Sequence, residues 1–152
     1  MTNPENKKLL MIEKVLLLKS LSIFSETPET ILAEIAHLTN EEPIKEGEII
    51  FNEGEAGSCM YIIYSGKIEI RKGNQLLVEM GEKDFFGELS LLDTEARSAS
   101  AIAKTECMLL RIDQDPFYEL MELQPDVVKG VIRILCKRIR AVNQKLFEVA
   151  SK

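Results

Sequence analysis

The middle of the chain consists of short apolar runs that are separated by glycine. The glycines between positions 43 and 81 are Gly47, Gly54, Gly57, Gly66, Gly73 and Gly81. Residues 67–71 alternate between charged and apolar side chains, which is typical of a half-buried strand. Residues 60–64 are apolar on both faces, so we expect them deep in the sheet. Short strands joined by glycine turns predict an antiparallel β-roll or jelly roll rather than a parallel sheet.

Helical periodicity precedes this region. A first helix is predicted over residues 6–20, with an apolar face formed by Leu9, Leu10, Ile12, Leu16 and Leu17. A second helix is predicted to begin near Pro28, with an apolar face formed by Ile31, Leu32, Ile35 and Leu38. The only histidine, His37, lies among polar neighbours on this helix and is expected at the surface.

A closing strand and two helices are predicted after the β-type region. The strand covers residues 108–112, a short helix follows from Asp113 to Leu123, and a final helix runs from Pro125 to about Ala150. The fold class is therefore mainly β with flanking helices. We expect one domain over residues 1–152, with helices in 1–40, the β-roll in 42–113 and C-terminal helices in 115–150.

The final helix carries two apolar stripes. The longer one, the heptad stripe, repeats at alternating spacings of four and three and consists of Val128, Ile132, Leu135, Ile139, Val142, Leu146 and Val149. Such a repeat predicts a two-stranded coiled coil and hence a homodimer. The second stripe, which is expected to face the β-roll, consists of Val127, Val131 and Ile134. The alternative is a helix packed entirely against its own domain.

Composition limits the functions that are open to the chain. With 25 acidic and 19 basic residues, the net charge is −6, which argues against a broad nucleic-acid surface. Three widely spaced cysteines, Cys59, Cys107 and Cys136, lie in apolar settings and are interpreted as buried thiols in a reducing compartment. We expect a cytoplasmic protein without a membrane segment, because no signal peptide or long apolar run is present.

Residues 84–101 read DFFGELSLLDTEARSASA, which is the layout of an anion site. Gly87 permits a tight turn, and the first backbone N–H groups of the helical turn after it lack partners within the helix. Arg97 lies between small residues and can form a two-pronged hydrogen bond with an anion. The alternatives are that Glu88 is only a favourable charge at a helix start and Arg97 only a surface residue.

No enzymatic motif is apparent in the sequence. A single histidine makes a poor metal site and leaves the serines without their usual base. The phosphate loop of nucleotide hydrolases and the nucleophile elbow of esterases are both missing. We therefore expect neither enzymatic activity nor a cofactor.

FGELSLL followed by ARSASA closely resembles the phosphate-binding cassette of the cyclic-nucleotide-binding domain family. This family includes bacterial catabolite activators, kinase regulatory subunits and nucleotide-gated channels. The glycine framework between Gly47 and Gly66 is also similar to that of the family. Lys83 is a departure, because many members carry glycine before the aromatic pair.

The resemblance implies a role for each residue of the cassette, residues 85–100. Glu88 would hold the ribose 2′-hydroxyl, and Arg97 with Ser98 would bind the cyclic phosphate. Asn143, on the final helix, would reach the base and favour adenine, although a solvent-facing position is an equal alternative. The full implied site consists of Phe86, Gly87, Glu88, Leu89, Ser90, Arg97, Ser98, Ala99 and Asn143, with the backbone N–H groups of Leu89, Ser90 and Ala99 on the phosphate.

The resemblance implies a regulatory sensor. A cyclic nucleotide, cAMP before cGMP, would bind reversibly and move the C-terminal helices about a hinge at residues 116–125, signalling to an unknown protein. Ser98 leaves the choice of base open. Catabolite activators continue into a helix-turn-helix domain where this sequence ends, so DNA binding is not expected. The alternative function is a nucleotide-free dimerising module that uses the heptad stripe.

Overall fold

The structure is a computed structural model that describes residues 9–93 and 95–151. Its first helices are α1 (Met11–Ser20), a 3-10 turn (Ser22–Phe24) and α2 (Glu29–Leu38). The strands are β1 (Thr39–Ile44), β2 (Ile49–Phe51), β3 (Cys59–Ser65), β4 (Ile68–Lys72), β5 (Gln75–Met80), β6 (Phe85–Phe86), β7 (Ser100–Ala103) and β8 (Cys107–Asp113). The remaining helices are α3 (Glu88–Leu92), between β6 and β7, then α4 (Gln114–Leu123) and α5 (Pro125–Ala150).

The strands form two antiparallel sheets, in the orders β1-β8-β3-β6 and β2-β7-β4-β5. The predicted antiparallel β-roll with flanking helices is therefore confirmed. The first strand begins at Thr39 rather than at residue 42, because its pairing with β8 extends to Thr39 opposite Ile112. β3 lies between β8 and β6, as expected for a strand that is apolar on both faces.

The two faces of β3 contribute to different hydrophobic cores. Met60 and Ile62 pack with the flanking helices, whereas Tyr61 and Ile63 pack between the two sheets. This division explains the continuous apolar run, since a strand with two buried faces has no solvent side on which polar residues would alternate.

The predicted apolar face of α1 is confirmed only in part. Leu17 is buried and Leu9 is half-buried against the core, as predicted, whereas Leu10, Ile12 and Leu16 are exposed and the unpredicted Leu18 is buried. Because leucines occupy consecutive positions, periodicity does not determine which of them are buried. Packing against α2 buries Leu17 and Leu18. Residues 6–8 of the predicted helix lie outside the described residues. The predicted face of α2 is confirmed at Ile31, Leu32 and Ile35, and His37 is exposed.

Helix α5 begins and ends where the sequence predicted. Its short stripe, Val127, Val131 and Ile134, is buried in the core that the helices share with β3 and β8, and the main contacts of α5 are with α4 and the 3-10 turn. Val128 and Leu135 of the heptad stripe are half-buried against the domain, but the rest of the stripe faces solvent, with Ile139 60% and Leu146 63% exposed. A helix packed entirely against its own domain is therefore excluded. Among the described helices, none combines the length and the apolar character needed to cross a bilayer.

Two of the three cysteines are buried, Cys59 and Cys107. The expectation of a buried thiol is wrong for Cys136, which is exposed on α5. The reason is that α5 packs against the domain only through its short stripe, so the other positions along the helix remain open to solvent.

Candidate functional site

The cassette begins with a backbone turn at Gly87. Its φ of 76° lies in the left-handed region, which glycine adopts without steric cost. A Cβ at this position would lie 2.5 Å from Nη1 of Arg97. Helix α3 starts at the next residue, Glu88, and the Ser90 N–H donates to the Gly87 carbonyl at 3.1 Å. Glycine is thus required here both for its conformation and for the close approach of Arg97.

Arg97 is a buried cation, with 7% of its surface exposed. Its Nη2 donates to the Cys59 carbonyl at 2.9 Å, and its Nη1 donates to the Gly87 carbonyl at 3.3 Å. The guanidinium lies over the Phe51 ring, 4.1 Å from the ring centroid. No acidic side chain in the described part of the chain is within ion-pair distance of it. A buried charge without a counterion is costly and favours an external anion.

The loop between β2 and β3 fixes the backbone of Arg97. The Arg97 N–H donates to the Glu55 carbonyl at 2.8 Å, and the Arg97 carbonyl accepts from the Gly54 N–H at 2.8 Å. Ala56 and Ala96 form an isolated antiparallel bridge. The cation is therefore held through both its main chain and its side chain.

Glu88 forms an ion pair with Arg138 of α5. The Arg138 guanidinium also lies 5.6 Å from the centroid of the Phe85 ring. The sequence analysis did not identify Arg138. Helix α5 carries six lysines and arginines between positions 129 and 145 and no acidic residue there, but the sequence does not indicate which of them faces the cassette. The final helix is thus joined to the cassette by a charged contact.

A cavity of about 360 Å³ opens beside Arg97. It is within the size range of small-molecule sites. Strands β4 to β6 supply an apolar wall, Ile70, Val78, Met80 and Phe86. The cassette supplies the other side, Gly87, Glu88, Ser90, Glu95, Ala96, Arg97 and Ser98. The sequence analysis missed Ile70, Val78 and Met80, since an apolar strand residue gives no signal that separates a cavity wall from core, and it did not assign Glu95 or Ala96 to the site.

The structure brings most of the predicted site residues together. Six of them line the cavity: Phe86, Gly87, Glu88, Ser90, Arg97 and Ser98. Ala99, which follows Ser98 in the sequence, is buried. Leu89 is in α3, and its side chain is outside the described set. Asn143 is exposed on α5, five residues beyond Arg138, and the single chain does not bring it to the cavity.

Tyr61 lies behind the cavity wall, next to Phe86. Tyr61 stacks on Phe86 with ring centroids 5.4 Å apart. Burial raises the pKa of the Tyr61 hydroxyl above its ordinary value, and the neighbouring Cys59 thiol adds to the effect. The phenol therefore stays neutral at physiological pH and adds no charge next to Arg97.

The cassette helix is also tied to α4. The Tyr118 hydroxyl donates to the Leu92 carbonyl at 2.6 Å, and the Gln114 Nε2 donates to the Ser90 carbonyl at 3.3 Å. Both acceptors are carbonyls near the C-terminal end of α3, where helical partners are missing. A displacement of α3 is therefore felt directly by α4.

Comparison with known proteins gives relatives over much of the chain. A CRP-like cAMP-activated global transcriptional regulator of Mycobacterium tuberculosis is 35% identical over 123 residues, which cover 76% of this chain and 55% of the regulator. A cGMP-dependent protein kinase of Plasmodium berghei is 41% identical over 81 residues, which cover 51% of this chain and 9% of the kinase. The chain thus spans about half the length of the regulator and a small part of the kinase.

A solved structure has the same fold. The N-terminal domain of a transcriptional regulator from Streptomyces coelicolor A3(2) superimposes with a TM-score of 0.79 at 25% identity, covering 86% of this chain and 94% of that domain. The family model described as cyclic nucleotide-binding domain matches residues 41–124, which include the cassette, Arg97 and all strands except the first two residues of β1. The chain therefore belongs to the cyclic nucleotide-binding domain family.

Proposed function

We propose that this regulatory domain binds cAMP in preference to cGMP and passes the signal on through α4 and α5. The observation that carries the proposal is Arg97, a buried cation with no carboxylate partner among residues 9–93 and 95–151, beside a cavity of about 360 Å³. A cyclic phosphate supplies the missing negative charge. We do not expect enzymatic activity, because binding alone accounts for the chemistry of these side chains.

Each part of the nucleotide has a proposed partner. Arg97 and the Ser98 hydroxyl hold the cyclic phosphate, together with backbone N–H groups of the cassette at Leu89, Ser90 and Ala99. Glu88 accepts a hydrogen bond from the ribose 2′-hydroxyl with the carboxylate oxygen that Arg138 leaves free. The base lies against the apolar wall of the cavity. This arrangement uses charge at one end of the ligand and apolar contact at the other.

The preference for cAMP is supported by the named relatives. The regulator that covers 76% of this chain is named for activation by cAMP, whereas the match to the cGMP-dependent kinase covers 51%. Ser98 can donate to either ligand and does not discriminate. Asn143 favours adenine because its amide both donates and accepts hydrogen bonds.

Dimerisation would bring Asn143 to the cavity of a second copy. If the heptad stripe pairs in parallel, Arg138 occupies a flanking position next to Asn143 of the other chain. Because Arg138 contacts Glu88, the amide of that Asn143 would then lie near the site. The proposed contacts of the dimer are Val128, Ile132, Leu135, Ile139, Val142 and Leu146.

The signal is proposed to leave the cassette by two routes. Ribose binding at Glu88 changes the ion pair with Arg138 of α5, and phosphate binding displaces α3 and, through Tyr118 and Gln114, α4. The ligand shifts the helices only as far as its affinities for the two arrangements differ. Residues 116–125 would supply the hinge.

Calorimetric titration with cAMP and then cGMP tests the proposal after any co-purified ligand has been removed. We expect tighter binding of cAMP and a loss of about a hundredfold or more in Arg97→Ala, because one partner of a buried charge pair typically contributes about 3–5 kcal/mol. Arg133→Ala is the control, since Arg133 is exposed on α5 and pairs with Glu26. A change of less than about threefold in Arg97→Ala would contradict the assigned role.

A second function is favoured by the exposed heptad stripe. According to this second function, the domain is a dimerising interaction module that binds no nucleotide. This function predicts a stable dimer whose thermal midpoint does not respond to millimolar cAMP or cGMP. A response to either ligand would exclude it.

A further inference from the structure

We propose that Phe51 is a positioning residue for the nucleotide, acting through Arg97. Its ring lies directly beneath the guanidinium, at 4.1 Å from Cζ to the centroid. Phe51 ends β2 and does not line the cavity, so it acts on the ligand only through the cation that it supports. The inference rests on the proposed function for its effect on binding.

The contacts of Arg97 divide between its edge and its face. Two backbone carbonyls, those of Cys59 and Gly87, and the Cys59 Sγ at 3.4 Å accept from the edge. The Phe51 ring covers one face. A guanidinium has five N–H donors, so these contacts leave two for a ligand. Edge and face together fix the orientation of those two donors before the ligand arrives.

The supporting ring is itself held in place. Phe51, Tyr61 and Phe86 form an aromatic cluster, with centroids 6.2 Å apart for Phe51–Tyr61 and 5.9 Å apart for Phe51–Phe86. Phe86 is 3% exposed and lines the cavity, so the cluster connects the ring beneath Arg97 to the cavity wall. Phe51 therefore cannot move aside without disturbing packed neighbours.

An aromatic ring suits this position better than a carboxylate would. The ring face attracts a cation through its quadrupole, and the attraction strengthens when the cation is desolvated. A carboxylate would neutralise Arg97 and compete with the phosphate for its donors. The ring stabilises the buried charge while leaving it available to an anion, and it reduces the conformational freedom that binding would otherwise have to remove.

Titration of Phe51 variants tests the effect on binding. Phe51→Leu keeps an apolar side chain but removes the ring, and it should weaken cyclic nucleotide binding by about three- to tenfold. Phe51→Tyr keeps the ring face and should remain within about twofold of the wild type. Phe24→Leu is the control, because Phe24 is 1% exposed in the other core and its loss lowers stability without touching Arg97.

A double-mutant cycle without ligand tests the contact itself. The unfolding constants in urea are measured for Phe51→Leu, Arg97→Met and the double variant. The constant of the double variant should differ by about fivefold or more from the value that the two single variants predict if their effects are independent. Additive effects, or Phe51→Leu binding within about twofold of the wild type, would overturn the inference. If the wild type binds neither nucleotide, the proposed function fails, and the cycle still decides whether Phe51 holds Arg97.

Discussion

Arg138 of α5 forms an ion pair with Glu88, the first residue of the cassette helix, across 50 positions of sequence. The side chains are 40% and 20% exposed, so the pair is only partly screened by solvent. Glu88 is also the residue proposed to hold the ribose. One carboxylate therefore connects the ligand site with the helix that carries the heptad stripe.

Replacing Arg138 should weaken nucleotide binding without unfolding the domain. In Arg138→Ala, Glu88 loses the group that orients it. We expect a loss of affinity of about fivefold, which corresponds to the upper end of the free energy that a solvent-exposed ion pair contributes. Calorimetry measures the change, and Lys137→Ala serves as the control because Lys137 is the exposed neighbour. Equal affinities for Arg138→Ala and the wild type would show that the ion pair does not prepare Glu88.

Gly87→Ala should lower both stability and affinity. The left-handed backbone costs a residue with a Cβ about 1–2 kcal/mol, and the added methyl group meets Nη1 of Arg97. We expect the free energy of unfolding in urea to fall by about that amount and the affinity to fall at least about tenfold. Gly81→Ala is the matched control, since its φ is not left-handed and its Cβ would have no neighbour within 4 Å. A Gly87→Ala variant that binds like Gly81→Ala would contradict the close approach of Arg97.

Lys83→Gly should stabilise the protein. Lys83 is the one non-glycine residue with positive φ in the described chain, at 70° in the turn between β5 and β6. Glycine removes the steric cost but adds freedom to the unfolded chain, so we expect a net gain of about 0.5–1 kcal/mol. Lys83→Ala controls for loss of the charge and should give no gain. Urea denaturation distinguishes the two, and equal midpoints would mean that the turn is unstrained.

Ile139→Lys should dissociate the proposed dimer while leaving the fold intact. Ile139 is 60% exposed, so a charge there costs a monomer little, whereas it would be buried in a coiled coil. Sedimentation measures the state of association. Gln144→Lys adds the same charge on the side of α5 away from the heptad stripe and should leave the dimer unchanged. A wild type that sediments as a monomer at every concentration would refute the dimer.

One thiol per chain should react quickly with a thiol reagent under native conditions, and three after unfolding. Cys136 is exposed, whereas Cys59 and Cys107 are buried. Burial also raises the pKa of the Cys107 thiol, which slows its reaction further because the thiolate is the nucleophile. Cys136→Ser should abolish the fast phase. Persistence of that phase in Cys136→Ser would place an exposed thiol elsewhere.

The sequence was sufficient to predict an element where the local residue pattern agrees with the surroundings of that element in the fold. The bounds of α5 follow from Pro125 and the heptad stripe, and the position of β3 follows from its continuous apolar run. Contacts between distant segments could not be predicted in this way. The choice of Arg138 among the basic residues of α5, and the Phe51 ring beneath Arg97, both depend on how separate elements pack.

The predictions that were wrong also concern contacts between separate elements. In α1, leucines at consecutive positions allow two faces, and only the partner helix decides between them. Cys136 lies in an apolar stretch that predicts a buried position, but composition alone does not distinguish a helix face that meets solvent from one that meets the domain.

The exposed part of α5 makes the helix a lever arm. The helix has 26 residues, which correspond to about 39 Å at 1.5 Å per residue. Arg138 makes the contact with Glu88, and about 18 Å of helix extends past it to Ala150. A rotation of about 10° at Arg138 displaces Ala150 by about 3 Å. A small movement at Glu88 would thus produce a displacement of the end of α5 that is larger than the displacement of the cassette.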